Sequence, residues 1–329
     1  MTSHLAERVV RWFLANHRKL PWRETSDPYK IWVSEVMLQQ TTVATVIDYY
    51  KRFLELFPNV MALGSAKEAE VLKAWQGLGY YRRAKNLRAG AQFVIEKFGG
   101  QLPKTLSELL EIPGIGRYSA GAILSIAHRI PTAALDGNLI RVYARHEGIS
   151  QPVDNSSTLK RLWQIAESHV PSDSLVAREF TEGMMELGAL VCTPRNPKCG
   201  DCPLGSSCRA RSEGMTEILP RKTKSLARKK LVEIVYWSEK NGKVAFFSKG
   251  SDPKFPDFMR LPFKSADRAS KPKKFLKRLK YAVTDRDFEV YLVKGESKHS
   301  EARWIAIDRF EDVLLPTIDR KIIRLMKGE

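Results

Sequence analysis

The sequence predicts a mainly α-helical body followed by a smaller α+β module, and three observations support that prediction. Apolar residues recur at helical intervals through residues 1–190, with no alternating run among them. All four cysteines, Cys192, Cys199, Cys202 and Cys208, fall in one short window just beyond. After residue 228 the apolar residues come as brief β-branched and aromatic runs, LVEIVYWS, KVAFFS, FEVYLV and RWIAI, as strands do.

Taken in order, Val9, Trp12, Phe13 and Asn16 mark a first amphipathic helix, broken by Leu20-Pro21-Trp22-Arg23. Asp27-Pro28 starts the next, with Asp as N-cap and Pro in the first turn. Further helical spacing appears near 42–57, 67–76, 82–98, 106–110, 117–127, 138–147, 156–169 and 174–189. The Lys/Arg-rich stretch 221–230 reads as a linker or arm, so the domains divide into 1–215, a basic connection over 216–228, and 229–329. Two more helices are expected near 271–279 and 317–327.

A chain of 329 residues holds about two domains. Its 43% apolar and 28% charged residues exclude wholesale disorder. No apolar run approaches the roughly 18 residues of a membrane span. The N-terminus carries charge among its apolar positions, which fits an amphipathic helix and not a signal peptide. The expectation is a cytoplasmic, nucleoid-associated protein, or a nuclear or mitochondrial one in a eukaryote. The net charge of +18 is uneven: residues 221–329 hold 28 Lys/Arg against 15 Asp/Glu. Such an excess points towards a polyanion, most simply nucleic acid.

Several groups bear on chemistry. Within residues 109–138, Pro113-Gly114-Ile115-Gly116 bares the backbone where a helix begins, a place suited to a phosphate. Asp136-Gly137-Asn138 follows some twenty residues later. On that stretch alone a helix corner is the better reading, with Gly as C-cap and Asp136 as N-cap. Glu35 lies two turns inside its helix among Ile31, Trp32 and Leu38. An apolar setting raises a carboxyl's pKa and suits a general acid, although a Glu paired with Lys30 fits that position equally well. Gln39-Gln40-Thr41-Thr42 and Gly77-Leu78-Gly79-Tyr80-Tyr81-Arg82-Arg83 combine amides or aromatics, which can slip between bases, with positive charge, and arginines such as Arg82 and Arg83 hold phosphates. The spacing C-x6-C-x2-C-x5-C has one tight knuckle where four-Cys zinc sites usually have two, which favours a structural [4Fe–4S] cluster over zinc. The histidines fall into no metal or triad pattern, and no Walker A or dinucleotide fingerprint is present.

The strings LPWR (20–23), SEVMLQQT (34–41), WQGLGYYRRAKNL (75–87), IPGIGRYSAGAI (112–123), LDGNLIRV (135–142) and EGMMELGALVC (182–192) resemble, in that order, the adenine DNA glycosylases of the MutY type. The resemblance spans about residues 5–210. It implies a two-lobed helix–hairpin–helix DNA glycosylase with a [4Fe–4S] loop and a Nudix-like C-terminal domain. Its substrate would be duplex DNA with adenine opposite 8-oxoguanine or guanine, and the chain would act as a monomer. By the same resemblance Glu35 is the general acid, Asp136 stabilises the cationic sugar and Asn138 orients the pair. Gln40 and Tyr80 become wedges beside the orphan base, Gly114 and Gly116 the phosphate grip, and Arg23 a DNA contact. Cys192, Cys199, Cys202 and Cys208 become the cluster ligands. Related glycosylase-lyases carry a nucleophilic lysine where this chain has Tyr118, which implies base removal without efficient strand cutting, with Tyr118 assisting near the sugar. One departure stands out. The family reads 8-oxoguanine through a Phe-Ser-His loop, and the corresponding place here is 281–286, where only Thr284 resembles the serine.

Overall fold

The computed structural model describes residues 4–223, 228–266, 271–283, 285–295 and 302–328. They form two compact units. One comprises residues 1–71 and 82–225, the other 72–81 and 226–329.

The first unit is helical: α1 (His4–Asn16), α2 (Pro28–Leu38), α3 (Val43–Leu56), α4 (Val60–Ser65), the start of α5 (Glu68–Ala74), α6 (Arg82–Phe98), α7 (Leu106–Glu111), α8 (Arg117–Ala122), α9 (Gly137–His146), α10 (Ser156–His169), α11 (Ala177–Leu190) and α12 (Arg209–Ser212). Asp27 caps α2 as expected, accepting from the amides of Tyr29 and Lys30, with Pro28 in the first turn. From Ile31 to Met37 every residue of α2 is buried, so this helix threads the core instead of lying on it. α8 runs directly into a π-helical turn, Ile123–Ala127, so 117–127 is one continuous helical segment. Val9, Leu139, Val142, Tyr143, Leu162, Phe180, Met184 and Leu187 close a core shared by α1, α9, α10 and α11.

The second unit holds two sheets. One has the order β4-β1-β6-β5, built from β1 (Lys229–Trp237), β4 (Phe263–Ala266), β5 (Lys277–Val283) and β6 (Arg286–Lys294). β1 and β6 run parallel, and the outer pairs run antiparallel. The other is antiparallel β2-β3-β7, from β2 (Glu239–Lys240), β3 (Lys243–Phe246) and β7 (Arg303–Ala306). α13 (Thr317–Lys327) packs Ile318, Ile322 and Ile323 into the same core as Val235, Phe288, Val290 and Leu292. At its centre the fully buried Arg260 bonds Asp319 (2.8 Å), Asp252 and Glu233 (3.5 Å).

The helix expected over 271–279 is absent; that stretch leads into β5. Phe275, Leu276 and Leu279 mimic helical spacing, but Leu279 is buried between exposed Arg278 and Lys280, the alternation of an edge strand. The basic residues on the open face hid that alternation.

Candidate active site

Three elements of the helical unit bring the candidate catalytic residues together. Glu35, from the buried helix α2, is only 4% exposed. Burial pushes its carboxyl up to about 7, helped by the nearby charges of Asp136 and Glu182 and opposed by Tyr118 and Arg23. Tyr118, in the first turn of α8, donates its hydroxyl to Glu35 Oε2 at 2.6 Å. That bond is charge-assisted when Glu35 is ionised, so it holds the acid below the value that burial alone would set.

Asp136 caps α9. Its Oδ1 accepts from the amides of Asn138 (2.9 Å) and Leu139 (2.8 Å), and its Oδ2 from the Asn138 side chain (3.1 Å). Burial raises this carboxyl too, but those three bonds and Arg141 all favour the charged form. Two carboxyls, one buried and one half-buried, thus stand with unequal support. Glu35 has one donor and a pKa near neutrality; Asp136 has three and a helix N-terminus. The helix-cap role read from the sequence holds, and the same contacts favour the charged form of Asp136.

Asn138 passes the connection on. Its Oδ1 accepts from Arg141 Nη2 at 2.8 Å, while Arg141 also donates to the carbonyls of Gly188 (2.7 Å) and Cys192 (2.7 Å). Neighbouring Arg145, almost wholly buried, donates to Cys192 Sγ (3.4 Å) and to the carbonyls of Thr193, Pro194 and Leu219. The cysteine loop is therefore tied by two arginines of α9 to the helix that Asp136 begins. Cys192, Cys199, Cys202 and Cys208 are all unpaired thiols of intermediate exposure. Burial pushes Cys202 up to about 11, with added repulsion from Cys192, Cys208 and Cys199. Thiolate charges on these cysteines would repel one another, and four cysteine sulfurs are the donor type that a cationic iron–sulfur core takes.

The remaining predicted residues divide. Gly114 has φ +84, and a Cβ there would stand 2.8 Å from the Cβ of Asn86, so the hairpin requires glycine at that point. At Gly116 a Cβ would meet nothing within 4 Å, leaving the backbone at the start of α8 open. Gln40 and Tyr80 both adopt left-handed backbone (φ 58 and φ 48), and Tyr80 is 55% exposed. Such conformations cost a non-glycine residue about 1–3 kcal/mol and gather at functional positions. Arg23 is not an open DNA contact. Its guanidinium is forked onto Glu186 (3.0 Å twice) and little exposed. Arg83, read as a phosphate holder, instead donates to the carbonyls of Val36 (2.8 Å), Met37 (3.0 Å) and Gln39, closing the end of α2. Thr284 lies outside the described residues, whereas Tyr281, three residues earlier, packs against the core, bonded to Glu233 at 2.8 Å and stacked on Phe288.

Sequence reasoning missed Glu182, Glu186 and Arg141. Glu182 is buried, its carboxyl raised by that burial despite Arg178 and Arg23, and its charge reaches Glu35. The available signal was two acids one turn apart inside the otherwise apolar EGMMELGA segment.

Residues 33–168 match the model of the HhH-GPD superfamily base excision DNA repair proteins, and residues 192–212 match the iron-sulfur binding domain of endonuclease III. The adenine DNA glycosylase of Buchnera aphidicola subsp. Schizaphis graminum is 39% identical over 245 residues, covering 72% of this chain and 70% of that one. The chain belongs to the adenine DNA glycosylase family. The human adenine DNA glycosylase is 45% identical over 214 residues, covering 62% of this chain and 38% of that one. A thermostable thymine-DNA glycosylase matches with a TM-score of 0.58 and 30% identity, over 64% of this chain and 95% of that one. The chain is thus a base-excision repair hydrolase that acts on the N-glycosyl bond of adenine in DNA. It has the helix–hairpin–helix fold and a [4Fe–4S] cluster on its four cysteines.

Proposed function

We propose that Glu35, Tyr118, Asp136 and Asn138 form the catalytic centre, and that the enzyme releases adenine from opposite 8-oxoguanine or guanine without cutting the strand. The observation that supports this reading best is the buried Glu35 with its carboxyl at about 7, bonded to Tyr118 at 2.6 Å. A protonated Glu35 gives its proton to a ring nitrogen of the flipped adenine. The bond from the base to the sugar C1′ then breaks, with its electron pair leaving on the adenine. The charged Asp136 stabilises the cationic sugar, held in place by Asn138. Water adds to C1′ as the Glu35 carboxylate takes its proton, restoring the acid. Tyr118 offers a hydroxyl where an imine-forming amine would be needed for strand cleavage, so the product is an abasic site. Gln40 and Tyr80 wedge beside the orphan base, and the hairpin at Gly114 and Gly116 holds a phosphate. Residues 1–215 hold the chemistry, residues 229–329 contribute lesion recognition, and the chain acts as a monomer.

A single-turnover assay tests this on a duplex with 8-oxoguanine opposite adenine. Alkali treatment should reveal a nick at the adenine. Without alkali the strand should stay intact, and borohydride should trap no adduct. Glu35→Gln should bind the same duplex as tightly as wild type and release adenine at least about 10³-fold more slowly. Release by Glu35→Gln at a near wild-type rate would remove Glu35 from its role.

A further inference from the structure

The helical unit contains a buried charged group that the chemistry above does not use. Glu186, on α11, has a side chain 1% exposed, yet it is held well below the usual carboxylate range, at about 2. Burial alone would raise it; the hydrogen bonds from Arg18 and Arg23 outweigh that. Oε1 accepts from the Arg18 amide (2.9 Å), Arg18 Nε (2.9 Å) and Arg23 Nη1 (3.0 Å). Oε2 accepts from Arg18 Nη2 (2.6 Å) and Arg23 Nη2 (3.0 Å). Five donors fill the lone pairs of one carboxylate, so Glu186 has no capacity left for a substrate.

Arg23 is the group this anchor fixes. It ends the 3₁₀ turn Pro21–Arg23, and its carbonyl accepts from Arg178 at 2.6 Å. Its guanidinium lies over the Phe13 ring at 5.2 Å and donates to the Arg18 carbonyl at 3.2 Å. From that position its charge acts on both Glu35 and Glu182, favouring their ionised forms. One arginine would neutralise Glu186. The structure supplies two, so the clamp has a net positive charge within reach of the acid.

We propose that Glu186 is a positioning residue: gripping Arg23 together with Arg18, it fixes a guanidinium whose charge is felt by Glu35 and Glu182 and so sets the pH range in which Glu35 delivers its proton. The groups that face Glu35 are Tyr118 from α8, Asp136 at the start of α9, Glu182 from α11 and Arg23 itself. Glu186 and Arg18 act on Glu35 through Arg23. The proposal rests on Glu35 being the acid.

Two substitutions change the charge of the clamp in opposite senses. Glu186→Gln keeps the shape but leaves both guanidiniums uncompensated, which favours the Glu35 carboxylate. The limb of the pH–rate profile where adenine release falls with rising pH should move down by about half a unit to one unit, a loss of about 3- to 10-fold at pH 8 that shrinks towards pH 5.5. Arg18→Met removes a positive charge, and the same limb should move up. Single-turnover release from an 8-oxoguanine:adenine duplex, measured from pH 5 to 9 for the three proteins, decides the matter. Opposite shifts support the proposal. Limbs that coincide with wild type, or two shifts of the same sign, overturn it, as does a loss of rate equal at every pH. If Glu186→Gln does not fold, Arg18→Met alone decides, since that side chain is partly exposed. Absence of adenine release by the wild-type protein would instead sink the assignment of Glu35.

Discussion

At the residue scale, a general acid on Glu35 makes the pH profile predictable. The free acid must be present when adenine binds, so release should be fastest below about 7 and fall about tenfold per unit above it. At the acid end the rate should fall again as Asp136 takes up a proton, giving a bell. Tyr118→Phe removes the bond that favours the Glu35 carboxylate, so the alkaline limb should move up; a limb moving down would contradict that account. The buried setting of Glu35 was legible in the sequence because its cause is local: its depth within a helix and apolar residues at helical spacing. Glu186 was not, because its meaning depends on Arg18 and Arg23, more than 160 residues earlier in the chain. Arg83 was misread for a related reason. A basic residue in an aromatic, glycine-rich segment resembles a phosphate contact until the frayed carbonyls of α2 are seen beside it.

At the element scale, the site depends on how closely α9 and α11 approach. Gly188 of α11 lies against Asn138, and a Cβ there would stand 2.8 Å from the Asn138 Cβ. Helix backbones do not yield to such a contact without moving apart. Gly188→Ala should therefore displace Asn138, disturb the Arg141 bond to it, and slow adenine release by about 10- to 100-fold while DNA affinity stays close to wild type. Single-turnover rates and binding isotherms on the same duplex separate these effects. A wild-type rate would mean that the helices accommodate the methyl without passing it to the site. The sequence showed helices here through caps and periodicity: Asp27-Pro28 and Asp136-Gly137 both open the elements expected of them. What it concealed was that Gly188 is a packing residue for Asn138. It concealed β5 as well, since a lysine-covered edge strand has few of the apolar positions from which alternation is read.

At the scale of the whole molecule, the distribution of charge points to a division of labour. The helical unit turns several of its arginines inward, on Glu186, on carbonyls and beside the cysteines, where they order the candidate site. The smaller unit buries Arg260 at its centre but displays many of its lysines. Lys273, Lys274, Lys277 and Lys280 are exposed along the approach to β5 and on its face. A surface of this kind gains affinity for DNA by releasing counterions, and each phosphate contact adds about 0.9 to the slope of log affinity against log salt. Replacing the four lysines with glutamine should flatten that slope by about one for each lysine that meets a phosphate, and weaken binding alike for duplexes with 8-oxoguanine or guanine opposite adenine. Adenine release from saturated complexes should be unchanged, because the substituted lysines belong to the smaller unit and Glu35, Tyr118, Asp136 and Asn138 to the helical one. An unchanged slope would take this face out of DNA binding, and a loss confined to the 8-oxoguanine duplex would make it a lesion reader and not a phosphate track.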